Sequence, residues 1–186
     1  MNHYTRISGL RIFGARVYAH WSVLVAGLFV LIKSSGTVVM ALVSIAAYFG
    51  MILLHEAGHA YFAKRQRLDR ISIKLSAVHG VCTFEEPEYA EQDYVVAWGG
   101  IFAQLVVAVP LVVANAIFGL GNVDPFGPII AILGYYSLLI VAFNLIPAPG
   151  LDGAKAWPLV PLLWRRWRAK TFSPAKRRRG KMRALK

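Results

Sequence analysis

Cysteine and acidic residues are scarce in this chain of 186 residues. Because Cys82 is the sole cysteine, an intrachain disulfide is excluded, and a lone thiol is usually a small buried side chain. Nine acidic residues stand against 21 Lys and Arg, which gives a net charge of +12. In a soluble protein this charge would favour nucleic acid as a partner. No feature of a nucleic-acid-binding module is present, so we predict no nucleic-acid binding.

Long hydrophobic runs with almost no charge dominate the rest of the chain. The sequence is 57% hydrophobic with a mean hydropathy of +0.52, above the roughly 45–50% apolar content of soluble domains. The runs predict four membrane spans, near residues 17–32, 38–63, 95–118 and 126–146. Between the second and third spans, residues 70–76 and 81–84 alternate apolar and polar side chains around a turn. The predicted fold is an all-α polytopic membrane protein of about four transmembrane helices, with a small membrane-associated β-hairpin.

The basic residues predict how the chain is oriented in the membrane. Twenty of the 21 Lys and Arg precede the first span, separate spans two and three, or follow span four, and only Lys33 does not. The positive-inside rule then places both termini in the cytoplasm. We divide the chain into a cytoplasmic segment (1–16), a membrane-embedded core (17–155), and an interfacial segment with a basic tail (156–186). The tail is expected near anionic lipid headgroups. The first run lacks a small-residue cleavage site, so no cleavable signal peptide is expected.

The second run ends in His55-Glu56-Ala57-Gly58-His59. On a helix, this spacing places two imidazoles one turn apart on one face, a rise of about 6 Å along the axis, with a carboxylate beside them. Ionisable groups inside a membrane segment are costly and usually functional. A catalytic zinc site usually takes three protein ligands. The best candidate for the third is Asp152, which follows the fourth span in a segment that two prolines break.

The two motifs together resemble those of the site-2 protease family of intramembrane zinc metalloproteases. Members combine a His-Glu-x-x-His helix with a later Asn-x-x-Pro-x-Pro-x-x-Asp-Gly segment, and here Asn144 begins the latter. The resemblance covers residues 6–157, without the PDZ insertion or CBS domain of some members. The chain departs from the family at Gly100, where Pro is usual, and at Gln104, where Asn is usual.

The resemblance implies a role for each motif residue. His55, His59 and Asp152 would bind one Zn²⁺ per chain, and Glu56 would be the general base for the zinc-bound water. Asn144 would contact the substrate carbonyl or the developing oxyanion. The expected substrate is a single-span membrane protein, cut in or near its membrane segment. The setting would be a bacterial or archaeal cell membrane.

Several alternatives stay open at this point. The chain could be a non-catalytic membrane adaptor on a protease-like scaffold, although the intact Glu56 argues against it. A cation transporter is disfavoured by the small number of spans. His20 is either a polar anchor beside Trp21 or a functional residue, and His79 is either a turn residue or part of the site. The predicted hairpin could present an edge strand to which an extended substrate adds. The sequence does not indicate the oligomeric state.

Overall fold

The computed structural model describes residues 4–33 and 36–172. Its strands are β1 (Tyr4–Ile12), β2 (Ala15–His20), β3 (Ser72–Leu75) and β4 (Gly80–Thr83). Its helices are α1 (Ser22–Lys33), α2 (Val38–Arg65), α3 (Ala90–Phe118), α4 (Phe126–Asn144), α5 (Asp152–Ala156) and α6 (Leu159–Phe172). A short 3₁₀ turn, Leu120–Asn122, precedes α4. Within α4, the segment Ile130–Tyr136 is π-helical.

Three helices of the described residues are long and apolar enough to cross a membrane, namely α2, α3 and α4. They correspond to the second, third and fourth predicted spans. The first predicted span, residues 17–32, needs correction because β2 takes its first residues and α1 has only 12 residues. At 1.5 Å per residue α1 is about 18 Å long, against about 30 Å of bilayer hydrocarbon. The three long apolar helices indicate a multi-pass membrane protein, and α1 is a shorter apolar helix beside them.

A four-stranded sheet replaces the isolated hairpin of the sequence prediction, so the all-α description was incomplete. The strand order is β1-β2-β3-β4, with β2 parallel to β3 and the other pairs antiparallel. The β3–β4 hairpin lies where the alternation predicted it. The N-terminal hairpin was missed because its turn is Phe13-Gly14, both with positive φ. A two-residue turn of this kind normally carries Asn-Gly or Asp-Gly, and that sequence signal is absent.

The sheet packs against the half of α2 that carries the histidine motif. Val17 of β2 and Ile73 of β3 are fully buried, in one cluster with Met51 and Ala60 of α2. Each of these strands therefore directs an apolar side chain toward α2, while the opposite face of the sheet is more exposed. This packing fixes the position of β3 and β4 along α2, next to the histidine motif.

Helices α2 and α3 touch through their backbones. A Cβ atom on Gly99 would lie 2.6 Å from the carbonyl oxygen of Gly58, and Gly58 is equally crowded by the Gly99 carbonyl. Small residues permit such close approach between membrane helices, where apolar burial alone gives little driving force. Gly58 is the fourth residue of the histidine motif, so the motif itself is part of this helix contact.

The C-terminal region continues as a helix beyond the core. Helix α6 exposes Trp164 and Trp167 and carries Arg166, which forms an ion pair with Glu91 at the start of α3. The interfacial location of this segment stays a prediction. The basic tail from Lys176 onward lies outside the described residues.

Candidate metal centre

Two histidines and one aspartate converge where α2 meets α5. Nε2 of His55 lies 3.1 Å from Nε2 of His59, as one helical turn between them allows. Oδ2 of Asp152 lies 3.0 Å from the first of these nitrogens and 3.3 Å from the second. Among the described residues, these three form the one cluster of His, Cys, Asp or Glu that could hold a metal ion.

Asp152 reaches the histidines because the chain folds back sharply after α4. A Cβ atom on Gly153 would lie 2.5 Å from the carbonyl oxygen of Ile146, so only glycine fits there. The indole of Trp98 on α3 donates a hydrogen bond of 2.8 Å to the carbonyl of Ala156, which holds α5 in place. The Asp-Gly pair of the second motif thus combines a ligand with the glycine that allows its approach.

The hydrogen bonds of the outer ring nitrogens define the tautomers of both histidines. Nδ1 of His59 lies 2.8 Å from the carbonyl oxygen of Val96, which can only accept, so this nitrogen carries the proton. Nδ1 of His55 lies 3.0 Å from Oε1 of Gln104, again an acceptor. Each Nε2 atom is therefore left with a lone pair directed at the other and at Asp152.

This donor set fits a metal ion. Oδ2 of Asp152 is buried and has no hydrogen-bond partner among the described residues, despite its short distances to the imidazoles. Burial raises the pKa of Asp152, but the neighbouring imidazoles of His55 and His59 outweigh it and hold that pKa well below its ordinary range. Three lone-pair atoms facing one another repel unless a cation lies between them. Tetrahedral zinc places its ligand atoms about 3.4 Å apart, close to the separations seen here.

Glu56 lies beside the cluster, between α2 and β4. It is buried, and its carboxylate packs so closely on Gly80 that a Cβ atom there would lie 2.7 Å from Oε1. The backbone amide of Cys82 also faces this carboxylate. Within the motif of residues 55–59, the two imidazoles therefore contact Asp152, whereas the carboxylate of Glu56 contacts β4.

A large cavity has the cluster at one end, and its other walls are mostly hydrophobic. Its volume is about 1020 Å³, and its polar end contains His55, Glu56, His59 and Asp152. Apolar and aromatic walls come from three elements and include Tyr48, Met51, Val81, Phe84, Tyr136, Ile140 and Phe143. The cavity therefore combines a polar end with largely apolar walls, as ligand-binding cavities usually do.

Of the remaining predicted residues, Asn144 and His79 line the cavity and His20 does not. Asn144 ends α4 and lines the cavity, but its side chain makes no hydrogen bond to the described residues, so its role stays a prediction. His79 also lines the cavity and lies in the turn beside Ser76. His20 instead bonds Ser22 and packs between Tyr4 and Trp21, outside the cavity lining.

The thiol of Cys82 is in the cavity lining but is a poor metal ligand. Burial raises its pKa to about 12, and the nearby Glu56 carboxylate acts in the same direction. The ligand form of cysteine is the thiolate, which is then scarce at neutral pH. His55, His59 and Asp152 are therefore better candidate metal ligands than Cys82.

Sequence reasoning missed two features of the surroundings. Gln104 was noticed as a departure from the family pattern, but its contact with His55 was not predicted. The contact of Gly80 with Glu56 was also missed, although a glycine beside a predicted strand often marks close backbone approach.

Replacement of Asp152 by Ala is expected to lower the zinc affinity. The loss should exceed the roughly 10- to 100-fold that removal of an outer-shell partner costs, because a direct ligand is removed. The measurement is zinc content per chain, with affinity from chelator competition. Asp93→Ala is the matched control, since Asp93 lines the same cavity but pairs with Lys155. Unchanged stoichiometry in Asp152→Ala would rule it out as a ligand.

The fold and the site together define a membrane protein with a candidate metal centre of two histidines and an aspartate at the end of an apolar helix. Comparison with known proteins agrees with this class. A zinc metalloprotease of Methanocaldococcus jannaschii is 29% identical over 108 residues, which are 58% of this chain and 31% of that protein. A candidate zinc metalloprotease of Synechocystis sp. is 30% identical over 127 residues, 68% of this chain and 32% of that one. The chain thus spans about a third of the length of these curated relatives.

A solved structure shares the fold. The site-2 protease from Methanocaldococcus jannaschii superimposes with a TM-score of 0.65, covering 91% of this chain and 74% of that chain at 20% identity. No protein-family model matches the chain. The sequence relatives and the shared fold confirm the resemblance to the site-2 protease family that the two motifs indicate.

Proposed function

We propose that the chain is an intramembrane zinc endopeptidase that hydrolyses peptide bonds in or near the membrane segments of single-span proteins. The observation that carries this proposal is the convergence of His55, His59 and Asp152 within 3.0–3.3 Å of one another. The cluster is at the end of an apolar helix and opens into an apolar cavity. An adaptor without catalysis would need neither the three ligands nor the buried Glu56.

Each residue of the site has a distinct part in the proposed reaction. Zinc held by His55, His59 and Asp152 would act as a Lewis acid that lowers the pKa of a coordinated water to about 7. Glu56 would take the proton of the attacking water and return it to the leaving amine. Its burial next to the imidazoles keeps it near the reacting atoms. Asn144 would supply a hydrogen bond to the substrate carbonyl from the cavity wall.

The sheet supports a binding mode for the substrate. β4 is an edge strand, since it pairs with β3 alone, and Gly80 and Cys82 of this strand line the cavity beside Glu56. A helical membrane segment must be extended before its peptide bonds can be attacked. An extended segment that adds to the free edge of β4 would have its backbone held next to the general base.

The orientation and the partners are part of the same proposal. We infer that both termini and the cluster face the cytoplasmic side, because 20 of the 21 Lys and Arg lie before residue 17, between residues 64 and 94, or after residue 146, and basic segments that flank membrane spans tend to stay in the cytoplasm. The exposed tryptophans and arginines of α6 would lie at the headgroup level, where anionic lipids attract them.

Removal of the metal is expected to abolish cleavage. The test uses the purified full chain in liposomes with a fluorescent single-span reporter, treated with a strong chelator and then with Zn²⁺ or Mg²⁺. Zinc should restore cleavage and magnesium should not, because imidazole ligands suit zinc whereas magnesium requires oxygen ligands. Cleavage by protein shown to be metal-free by elemental measurement would contradict the proposal.

A further inference from the structure

One face of α3 lies directly behind the two imidazoles of the candidate metal centre. Val96, Gly100 and Gln104 follow one another at intervals of four residues, so they form a single stripe along this helix. All three are buried, and Gln104 is only 1% exposed. The two outer residues meet the outer ring nitrogens of His59 and His55. The stripe thus contacts both histidines, and its two outer residues meet the ring nitrogens that do not face Asp152.

The middle residue of the stripe provides clearance. A Cβ atom on Gly100 would lie 2.6 Å from Cε1 of His55 and 2.6 Å from Nε2 of His59. Real Cβ atoms do not come so close to other heavy atoms, so any side chain here would push both rings away. Glycine at this position lets α3 approach far enough for Gln104 to reach His55.

The two outer residues act differently. The carbonyl of Val96 can only accept a hydrogen bond, so it leaves a single tautomer for His59. The amide of Gln104 has an accepting and a donating end. With Oε1 toward His55, the ring proton stays on Nδ1 and the lone pair stays on Nε2. With the NH₂ group toward His55, the proton would move to Nε2, the atom that faces Asp152 and His59, and that atom could no longer bind a metal.

We propose that Gln104 is a positioning residue that sets the tautomer and ring orientation of His55 for metal binding, with Gly100 providing the space for this contact. The inference rests on the proposed zinc site and adds the residue that prepares it. Outer partners of this kind orient metal-binding histidines and raise their basicity. Gln104 acts through His55 and not on the substrate.

The experiment compares zinc affinity among three variants of the full chain purified in detergent, by competition with a chromogenic chelator. Gln104→Met keeps the length of the side chain but removes the acceptor, and should weaken zinc binding about 10- to 100-fold. Gln104→Glu keeps an acceptor and offers no donor, so its affinity should be at least that of the wild type. Ser137→Ala is the control. It removes a buried hydroxyl of α4 that donates a hydrogen bond to the carbonyl of Ile132, and Ser137 itself does not line the cavity, so affinity should be unchanged.

Cobalt substitution gives a second readout that a merely structural role would not change. The visible absorption of bound Co²⁺ should differ from wild type in Gln104→Met and match it in Gln104→Glu. Wild-type affinity in Gln104→Met, or an equal loss in both variants, would overturn the proposal, because an acceptor would then have no special value. If Gln104→Met does not accumulate, Gln104→Glu decides, and a tenfold loss there overturns it. Absence of zinc binding by the wild-type chain would instead refute the metal centre itself.

Discussion

Glu56→Gln is expected to lower the cleavage rate by about 100- to 10,000-fold, the range that a general base contributes, while zinc remains bound. Glutamine has the same shape but cannot take a proton from the attacking water. Zinc should be retained because the carboxylate of Glu56 packs on Gly80, away from the three atoms that converge at the metal centre. Both quantities are measured on the same preparation, as reporter cleavage in liposomes and as zinc per chain.

Glu91→Gln is the matched control for this change. Glu91 lies at the start of α3 and pairs with Arg166 at the surface, outside the cavity lining. Exposed ion pairs contribute little to stability, so this variant should cleave like the wild type. Equal cleavage by Glu56→Gln and the wild type would remove Glu56 from the mechanism. Loss of zinc in Glu56→Gln would mean that its carboxylate helps to hold the metal.

Gly80→Ala is expected to reduce cleavage about 100-fold without loss of zinc. The new methyl group would overlap the carboxylate of Glu56, 2.7 Å from Oε1 and 2.9 Å from Cδ. Either the carboxylate or β4 must move, and a displacement of about 1 Å of a catalytic group can cost about 100-fold in rate. The ligands are on α2 and α5 and do not touch this glycine, so zinc content should stay at the wild-type value.

Gly50→Ala serves as the control with the same chemical change. Gly50 lies in α2, and an added Cβ atom would meet no atom within 4 Å. Alanine is also favoured over glycine within a helix by up to about 1 kcal/mol, so cleavage should be unaffected. A Gly80→Ala variant with normal cleavage would show that β4 can yield without displacing the general base. The contact between the strand and Glu56 would then have no catalytic importance.

The three long apolar helices and the grouping of His55, His59 and Asp152 were the parts that the sequence could predict. An unbroken apolar run from Val38 indicates a membrane helix by length alone, and α2 begins at that residue. The spacing of His55 and His59 determines that they share a helix face. Asp152 was predicted as the third ligand from its place in the proline-broken segment after the fourth span, and the structure brings its carboxylate to both imidazoles.

The missed features depend on contacts between distant parts of the chain. β2 occupies the start of an apolar run, where six alternating residues look like the beginning of a span, and its partner β3 comes some fifty residues later. The role of Gln104 depends on how closely α2 and α3 approach at Gly58 and Gly99. The pattern of residues within one helix does not indicate how closely a second helix packs against it.

The parallel pairing of β2 with β3 has a consequence for biogenesis. Val17 pairs with Ile73, and both α1 and α2 lie between them in the chain. The sheet can close only after both helices have been made and folded back, because β3 follows them in the chain. Because β4 joins the sheet through β3, the strand beside Glu56 reaches its place only after α1 and α2 have brought β2 and β3 together. Until these two helices are in place, the chain would have its histidine motif but no ordered strand beside the proposed general base, so the proposed hydrolytic activity would require the α1–α2 pair to form first.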